Sequence, residues 1–476
     1  MQVFRVGKIL ALALAFPNIS YTAQLTLSDF LKQVENKNQA MVASKLITEG
    51  AEERSNEGKL IFRPSFFAQA QSAIDKKPTT NVNAQGKRTD YNFMSAGIQE
   101  QFNFGLQGKI SYTFSHTTIY DASPTFLPLN NFHDGVASVE LSQSLWRNFL
   151  GKESGSQENI VTSQALATKH SENYKIKATL AQAESLYWSL SQIRKVAKVQ
   201  NESLERAQKI RIWNQNRLKS GLAESSDFLQ SDANYKARDY EVKNTMQELK
   251  NLQRSVNSLR GIDSDVLEAD LESIDSSKIK LLILPKKAEL RDDTKAALEL
   301  QKIAKASSAL AIEKNKPTFE IYGSYALNGR APDSNLAMTN SFKTDHDTKS
   351  IGLRFVTPLD FGTTSDNISG YKKEQIAADQ NFQRKLFEQE QQWNDLVSRF
   401  EDAKIKLALV EKIEEAQRIK AANERERLNK GRTVTFQVLN FEQDFAQSEL
   451  ARIQNETNIL NIYSQLKIFS AVGGVQ

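Results

Sequence analysis

The chain has no cysteine among its 476 residues. That excludes disulfides, thiolate metal sites and a lipid-bearing cysteine behind an export signal. Long apolar runs are missing as well. No window holds ~18 consecutive apolar residues, so no transmembrane helix is encoded. Histidine is scarce, and His116, His133, His170 and His346 are scattered without metal-ligand spacing. There is no phosphate-binding glycine loop, no serine-nucleophile elbow and no His-Glu-x-x-His. No enzyme activity, cofactor or metal is expected. Neither sign of charge dominates: the net charge is +5, with both signs interspersed along the chain. No basic block carries interleaved aromatics, so nucleic acid is not an expected partner.

What is present starts with a positive, then apolar, N-terminus. Arg5 and Lys8 precede the run from Ile9 to Phe16. Eight residues are too few to span a bilayer but suit a secretory signal, with cleavage expected after Ala23 (residues 1–23). An N-terminal core helix is the alternative.

The strongest pattern is an internal duplication. Arg217-Leu218-Lys219-Ser220-Gly221, Phe228-Leu229 and Tyr235 find Arg427-Leu428-Asn429-Lys430-Gly431, Val438-Leu439 and Phe445 at an offset of 210. The register continues from Leu249, Leu252, Val256 and Leu259 to Ile459, Ile462, Leu466 and Phe469. A period this long is not a solenoid of ~20–50-residue units. It divides the chain into a first repeat, 24–261, and a second, 262–476.

Each repeat has the same plan. The first predicts a helix over 25–60, capped by Thr26 or Ser28 with Asp29 at the positive end of the dipole. Strands follow within 62–147, then a helical hairpin over 155–260 broken at Gly221. The segment 64–75 reads as extended, and 91–117 and 136–145 alternate in the two-residue period of half-buried or lipid-facing strands. Ile98 and Ile110 fall on apolar faces, and Gly105–Gly108 is the expected turn between them. Val139, Leu141 and Leu145 face one way, Ser138, Glu140, Ser142 and Ser144 the other. The second repeat has a linker at 262–287, a helix at 291–314, strands within 317–361 and a helical hairpin over 366–470 broken at Gly431. The first long helical arm would reach ~95 Å. The class is α+β, mainly α.

The ordered set resembles the TolC family of outer-membrane efflux proteins. Carrying it are Leu25-Thr-Leu-Ser-Asp29, the Pro64-Ser-Phe and Pro317-Thr-Phe strand openings, Gln143-Ser-Leu145 and Thr357-Pro-Leu359 at strand ends, and the twice-used Arg-Leu-x-x-Gly turn. The resemblance implies a homotrimer in the bacterial outer membrane that extends into the periplasm. Its strands would share one β-barrel in lipid, and its helical hairpins would form an α-barrel tunnel. The duct would serve tripartite efflux or type I secretion, docking a periplasmic adaptor and an inner-membrane RND or ABC pump. Open strand edges are not tolerated in lipid, so a barrel shared among chains is also the physical expectation. Three chains of four strands would give twelve. A hairpin at roughly 95–117 has no twin in the second repeat. It either adds strands to the barrel or forms an extracellular or periplasmic flap. A periplasmic coiled-coil scaffold without a pore is the alternative reading.

By the same resemblance the second-repeat tip carries an acidic pair around Val-Leu that constricts the mouth. Here Gln437 and Asn440 flank Val438-Leu439, with Asp227 and Glu224 in the first repeat. That implies a polar, less electronegative periplasmic constriction; the alternative is a solvated helix face. Arg217, Leu218, Gly221, Arg427, Leu428 and Gly431 are the expected adaptor contacts, with each leucine an apolar knob. Packing of the leucines within their own hairpins is the alternative.

Overall fold

The computed structural model describes residues 24–272 and 276–470. The expected signal peptide lies outside the described residues. In chain order the elements are α1 (Leu27–Lys37), α2 (Gln39–Arg54), β1 (Ser65–Asp75), α3 (Val82–Gln85), β2 (Arg88–Gln101), β3 (Leu106–Tyr120), β4 (Asn131–Ser144), α4 (Lys152–Lys219), α5 (Ser225–Leu259), α6 (Ser276–Lys280), α7 (Asp292–Lys314), β5 (Thr318–Ala331), α8 (Ser334–Asn340), β6 (Asp347–Val356), α9 (Phe361–Asn429) and α10 (Thr435–Lys467). They gather into two compact units. One comprises Ala43–Ile176 and Ala288–Gln392, the other the described residues of 24–42, 177–287 and 393–470. Each unit draws on both sequence repeats.

The first of these, the sheet unit, holds every described strand. They form one antiparallel meander in the order β1-β2-β3-β4-β5-β6. The unmatched hairpin is longer than expected and lies within the sheet. It supplies β2 and β3, which pair with each other along their whole length and with β1 and β4 on either side. Its turn also sits earlier than expected, at Phe102–Gly105. There Gly105 N–H donates to the Phe102 carbonyl at 3.1 Å, and Gly105 takes φ 87°, which favours glycine. The connection from β5 to β6 contains α8, capped by Asp333, whose carboxylate accepts from Asn335 and Leu336 N–H.

Four helical segments make the other layer of this unit. Thr162 of α4 donates to the Ser55 carbonyl after α2, and Lys169 pairs with Glu52 of α2 at 3.0 Å. His170 of α4 lies 3.9 Å from Asp292 of α7. Gln301 of α7 donates to Asp379 of α9 at 2.9 Å. The lateral order is therefore α2, α4, α7, α9.

The second unit is helical. Its core gathers Phe30 of α1, Tyr187 and Leu190 of α4, Phe400 and Leu407 of α9, and Ile459, Ile462 and Leu466 of α10, all buried. Tyr187 stacks on Phe30 at 5.5 Å, donates to the Leu25 carbonyl at 2.6 Å and accepts from Glu272 N–H at 2.8 Å. Burial pushes its phenol up to about 12. The linker that follows α5 is tied down by Arg194, which donates to the Leu267 and Ala269 carbonyls. The single helix expected over 25–60 is broken at Asn38. That residue is extended (ψ 118°), accepts from Met41 N–H and donates to the Leu259 carbonyl. An asparagine side chain competes with helical hydrogen bonding in this way.

Candidate channel wall and hairpin tips

The register sorts the sheet into two chemically distinct faces. Because side chains alternate along a strand, residues paired across strands share a face. Following the pairs Phe66–Ile98, Ile98–Ile110, Ile110–Val139 and Val139–Tyr325 traces one apolar face across β1 to β5. Ile351, Leu353 and Phe355 complete it on β6, opposite Gly323, Ile321 and Phe319. α8 covers part of this face, with Ala337 and Ser341 against Gly329 and Phe342 stacked on Tyr112 at 5.6 Å; the rest is bare, with Phe66 73% exposed, Met94 69%, Ile110 62% and Ile351 81%.

The opposite face is a ladder of polar contacts. Ser95 meets Thr113 at 2.8 Å and Ser111 meets Ser138 at 2.8 Å. Lys109 pairs with Glu140 at 3.0 Å, Arg330 with Asp134 at 2.7 Å, and Ser324 meets Ser350 at 2.6 Å. Phe67 and Phe93 interrupt it on β1 and β2, where Lys109 lies over the Phe67 ring. An exposed apolar face opposite a hydrogen-bonded polar one is the division expected of a barrel wall with lipid outside and water inside.

The strand-to-helix junction is tightly built. Asn148, Leu150 and Gly151 take positive φ (58°, 52° and 72°). The Asn148 side chain accepts from Glu153 and Ser154 N–H at 3.0 and 3.1 Å, capping α4, and Arg147 forks onto Glu153. The β2–β3 turn is seated on this junction. A Cβ on Gly151 would lie 1.7 Å from the Asn103 carbonyl oxygen, and one on Gly105 would lie 2.5 Å from that of Asn148. Trp146, Phe149 and Leu150 are exposed here, as are Leu359 and Phe361 at the second junction, and Phe104 stacks on Phe102 at the turn. Such aromatics suit a membrane–water boundary.

At the other candidate site, within the helical unit, the two hairpin turns repeat each other bond for bond. Gly221 N–H donates to the Leu218 carbonyl and Leu222 N–H to that of Arg217; Gly431 and Arg432 do the same to Leu428 and Arg427. This is the Schellman closure of a helix, and Gly221 and Gly431 supply its left-handed residue at φ 69° and 67°. The arginine side chains staple the same turns. Arg217 donates to the Leu222 carbonyl at 2.8 Å and Arg427 to that of Arg432 at 3.4 Å.

Leu428 is not an exposed knob. It is 5% exposed and packs with Ile210, Val438 and Leu439 against Trp213, because α9 leans on α4 and α10 at that level. Leu218 is half-buried, and the exposed leucines of the first tip are Leu222 and Leu229. Gln437 and Asn440 are exposed on α10. Glu224 is exposed ahead of α5 and Asp227 is half-buried in its first turn.

Two features escape a reading of sequence alone. Asn214, fully buried, donates to the Asp227 carbonyl at 3.4 Å and accepts from the Thr435 hydroxyl at 3.1 Å, linking both hairpins. Glu442 of α10 is gripped by Arg206 of α4 at 2.9 Å and Arg425 of α9 at 2.6 Å, and burial pushes its carboxyl above the usual range. The signal for Glu442 was available: its counterpart at the 210 offset, Asp232, is also an acid and pairs with Arg211 at 2.6 Å. Asn214 has no such echo, since Glu424 stands at its counterpart.

Among the described residues no group of three or more His, Cys, Asp or Glu is placed to hold a metal. No helix there is long and apolar enough to cross a membrane, which says nothing of a β-barrel.

Solved structures settle the fold. The outer membrane protein VceC of Vibrio cholerae matches with a TM-score of 0.66 at 13% identity, over 93% of this chain and 95% of that one. This chain has the fold of the TolC-like outer-membrane channels. The outer-membrane channel OprN matches at 0.65 and 15% identity over 93% and 89% of the two chains. The MtrE outer membrane channel of Neisseria gonorrhoeae, solved in its open state, matches at 0.62 and 13% over 93% and 88%. No protein-family model and no curated protein matches the sequence. At these identities it is the fold that is shared.

Proposed function

We propose that the chain is one protomer of a trimeric outer-membrane exit duct, a passive and non-catalytic conduit from periplasm to exterior. The observation that carries this reading is the two-faced sheet. Its apolar face needs lipid, its polar face needs water, and its edge strands β1 and β6 each have one partner strand. In lipid such edges must be closed, and identical copies placed edge to edge close them without new chemistry. A pore-less periplasmic scaffold leaves the apolar face uncovered beyond the part under α8.

In this reading the Arg217–Gly221 and Arg427–Gly431 turns, with Leu218 and Leu428 behind them, form the surface that docks a periplasmic adaptor of an RND or ABC pump. Gln437 and Asn440, with Asp227 and Glu224 nearby, line a polar constriction at the periplasmic mouth. Lacking the carboxylate pair at 437 and 440, that mouth selects cations weakly.

The test is conductance of purified trimers in planar bilayers. Trimers that conduct with weak cation preference, and with a stronger preference after Gln437→Asp, support the duct and its constriction. Trimers that never conduct remove the duct. Conducting trimers whose selectivity ignores Gln437→Asp remove the constriction alone.

A further inference from the structure

The unmatched hairpin changes the size of the duct. Resting on the trimeric reading above, we propose that β2 and β3 are part of the barrel wall of every protomer. Three chains of six strands each then close an eighteen-stranded portal that does not narrow at the membrane and passes bulky hydrated cargo.

Three observations place the hairpin in the wall. First, its pairing is complete: β2 runs from Arg88↔Tyr120 to Gln101↔Gln107 against β3, with β1 and β4 outside them. A flap would break the β1–β2 and β3–β4 ladders and leave two strand edges open. Second, the hairpin shares the two faces of the sheet. Met94, Ile98 and Ile110 continue the bare apolar face, and Ser95, Ser111 and Lys109 continue the polar ladder. In water the first three would form an unexplained apolar patch. Third, its turn is fixed at one boundary of the wall. Gln143 donates to the Phe104 carbonyl at 3.3 Å and Gln101 to the Ser154 hydroxyl at 2.5 Å, so the turn ends level with the capped start of α4.

Geometry gives the consequence. Strands about 4.8 Å apart, tilted about 40°, each occupy about 6 Å of circumference. Six strands then span about 38 Å, and the four helical segments of the same unit, at about 9–10 Å each, span about 36–40 Å. Four strands would span only about 25 Å. Six strands therefore match the width of the helical layer. Eighteen strands close at a backbone diameter of about 36 Å against about 24 Å for twelve. With side chains lining the inside, the narrower barrel barely clears one α-helix of about 10–12 Å, and the wider one clears a helical polypeptide segment with room for its hydration. The cargo class this suits is the bulky, water-soluble one, polypeptide included.

The absence of cysteine makes the test clean. Single-cysteine variants Met94→Cys and Ile110→Cys on the apolar face, Lys109→Cys on the polar face and Ile351→Cys as a β6 reference are reconstituted full-length in lipid nanodiscs. They are treated with a membrane-impermeant maleimide, and the unsubstituted trimer is imaged in projection along its axis. The expected result is labelling at 109, protection at 94, 110 and 351, and a wall about 36 Å across. Trimers that protect 351 but label both 94 and 110, around a wall near 24 Å, would overturn the eighteen-stranded portal and leave the duct standing. Chains that never assemble and label at 351 as well would overturn the duct itself.

Discussion

Gly151 is where the seating of the β2–β3 turn is most exposed to a single methyl group. Gly151→Ala brings two separable costs. One is conformational: at φ 72° an alanine sits in the left-handed region, at roughly 1–2 kcal/mol. The other is steric: the new Cβ would stand 1.7 Å from the Asn103 carbonyl oxygen and 2.6 Å from its carbon. Backbone atoms cannot swing aside as a side-chain end does, so the turn must lift or α4 must shift, at roughly 1–3 kcal/mol more. Gly221→Ala is the internal control. It has nearly the same φ, 69°, but its Cβ would meet nothing within 4 Å, so it carries the conformational cost alone.

Amide hydrogen exchange reads both sites locally, which matters because two compact units need not unfold together. Every ~1.4 kcal/mol of lost protection is about tenfold in exchange. At residue 221 and Leu222 the control should exchange about 5–30-fold faster. In Gly151→Ala the amides of Phe102 and Gly105, which close the turn onto the Leu106 and Phe102 carbonyls, should exchange from about 30-fold to about 3,000-fold faster. If both substitutions accelerate their own turns by the same factor, the turn is not wedged against the junction and the steric argument is wrong.

Two further outcomes follow from packing and charge in the helical regions. Leu428→Ala should destabilise the α9–α10 tip by about 2–5 kcal/mol because it empties the cluster with Ile210, Val438 and Leu439, while Leu222→Ser should leave stability within about 0.5 kcal/mol and instead weaken adaptor capture; limited proteolysis of the tips and a pull-down with the cognate adaptor separate the two. Burial holds the His170 imidazole below its ordinary range despite Asp292 at 3.9 Å, so its contribution to stability is present above about pH 6.5 and is lost as pH falls through the lowered folded value; the thermal midpoint should therefore drop between pH 7.5 and 5.5, and His170→Gln should flatten that part of the profile.

The helices and strands are legible in the sequence because their signals are local. Apolar alternation in 136–145 sets the faces of β4, and the paired Arg-Leu-x-x-Gly turns mark both hairpin ends to within a residue or two. The turn at Phe102–Gly105 reads three residues late on sequence alone because Gly105 and Gly108 are equivalent on paper. Only Gly105 takes positive φ, and that choice is made by the distant Asn148 carbonyl. The break at Asn38 is hidden for a related reason: an asparagine inside a good helical pattern is uninformative until its partner, the Leu259 carbonyl 221 residues away, is known. The tips show the same limit. Leu218 and Leu428 occupy identical motif positions, yet only Leu428 has Ile210 and Val438 to pack against. Burial is a property of neighbours, and the repeat encodes the turn without its neighbours.

That limit also shows what the duplication leaves free. Backbone closure and the arginine staple are the same in both turns, so neither distinguishes one tip from the other. The distinguishing residues are those the staple does not use. At the residue after the glycine the first tip exposes Leu222 where the second exposes Arg432. One turn into the following helix the first exposes Leu229, 61% accessible, where the second buries Leu439 at 6%. The tips therefore differ at these positions on matching scaffolds, although the second also exposes Val434 and Phe436. In a trimer the two kinds would alternate around the mouth. A partner helix meets leucines at the first kind, and at the second an arginine able to fork onto a carboxylate beside Val434 and Phe436. If the proposed adaptor engages every tip, it meets Leu222 and Leu229 at one kind and Arg432 at the other, so the two contacts are not equivalent.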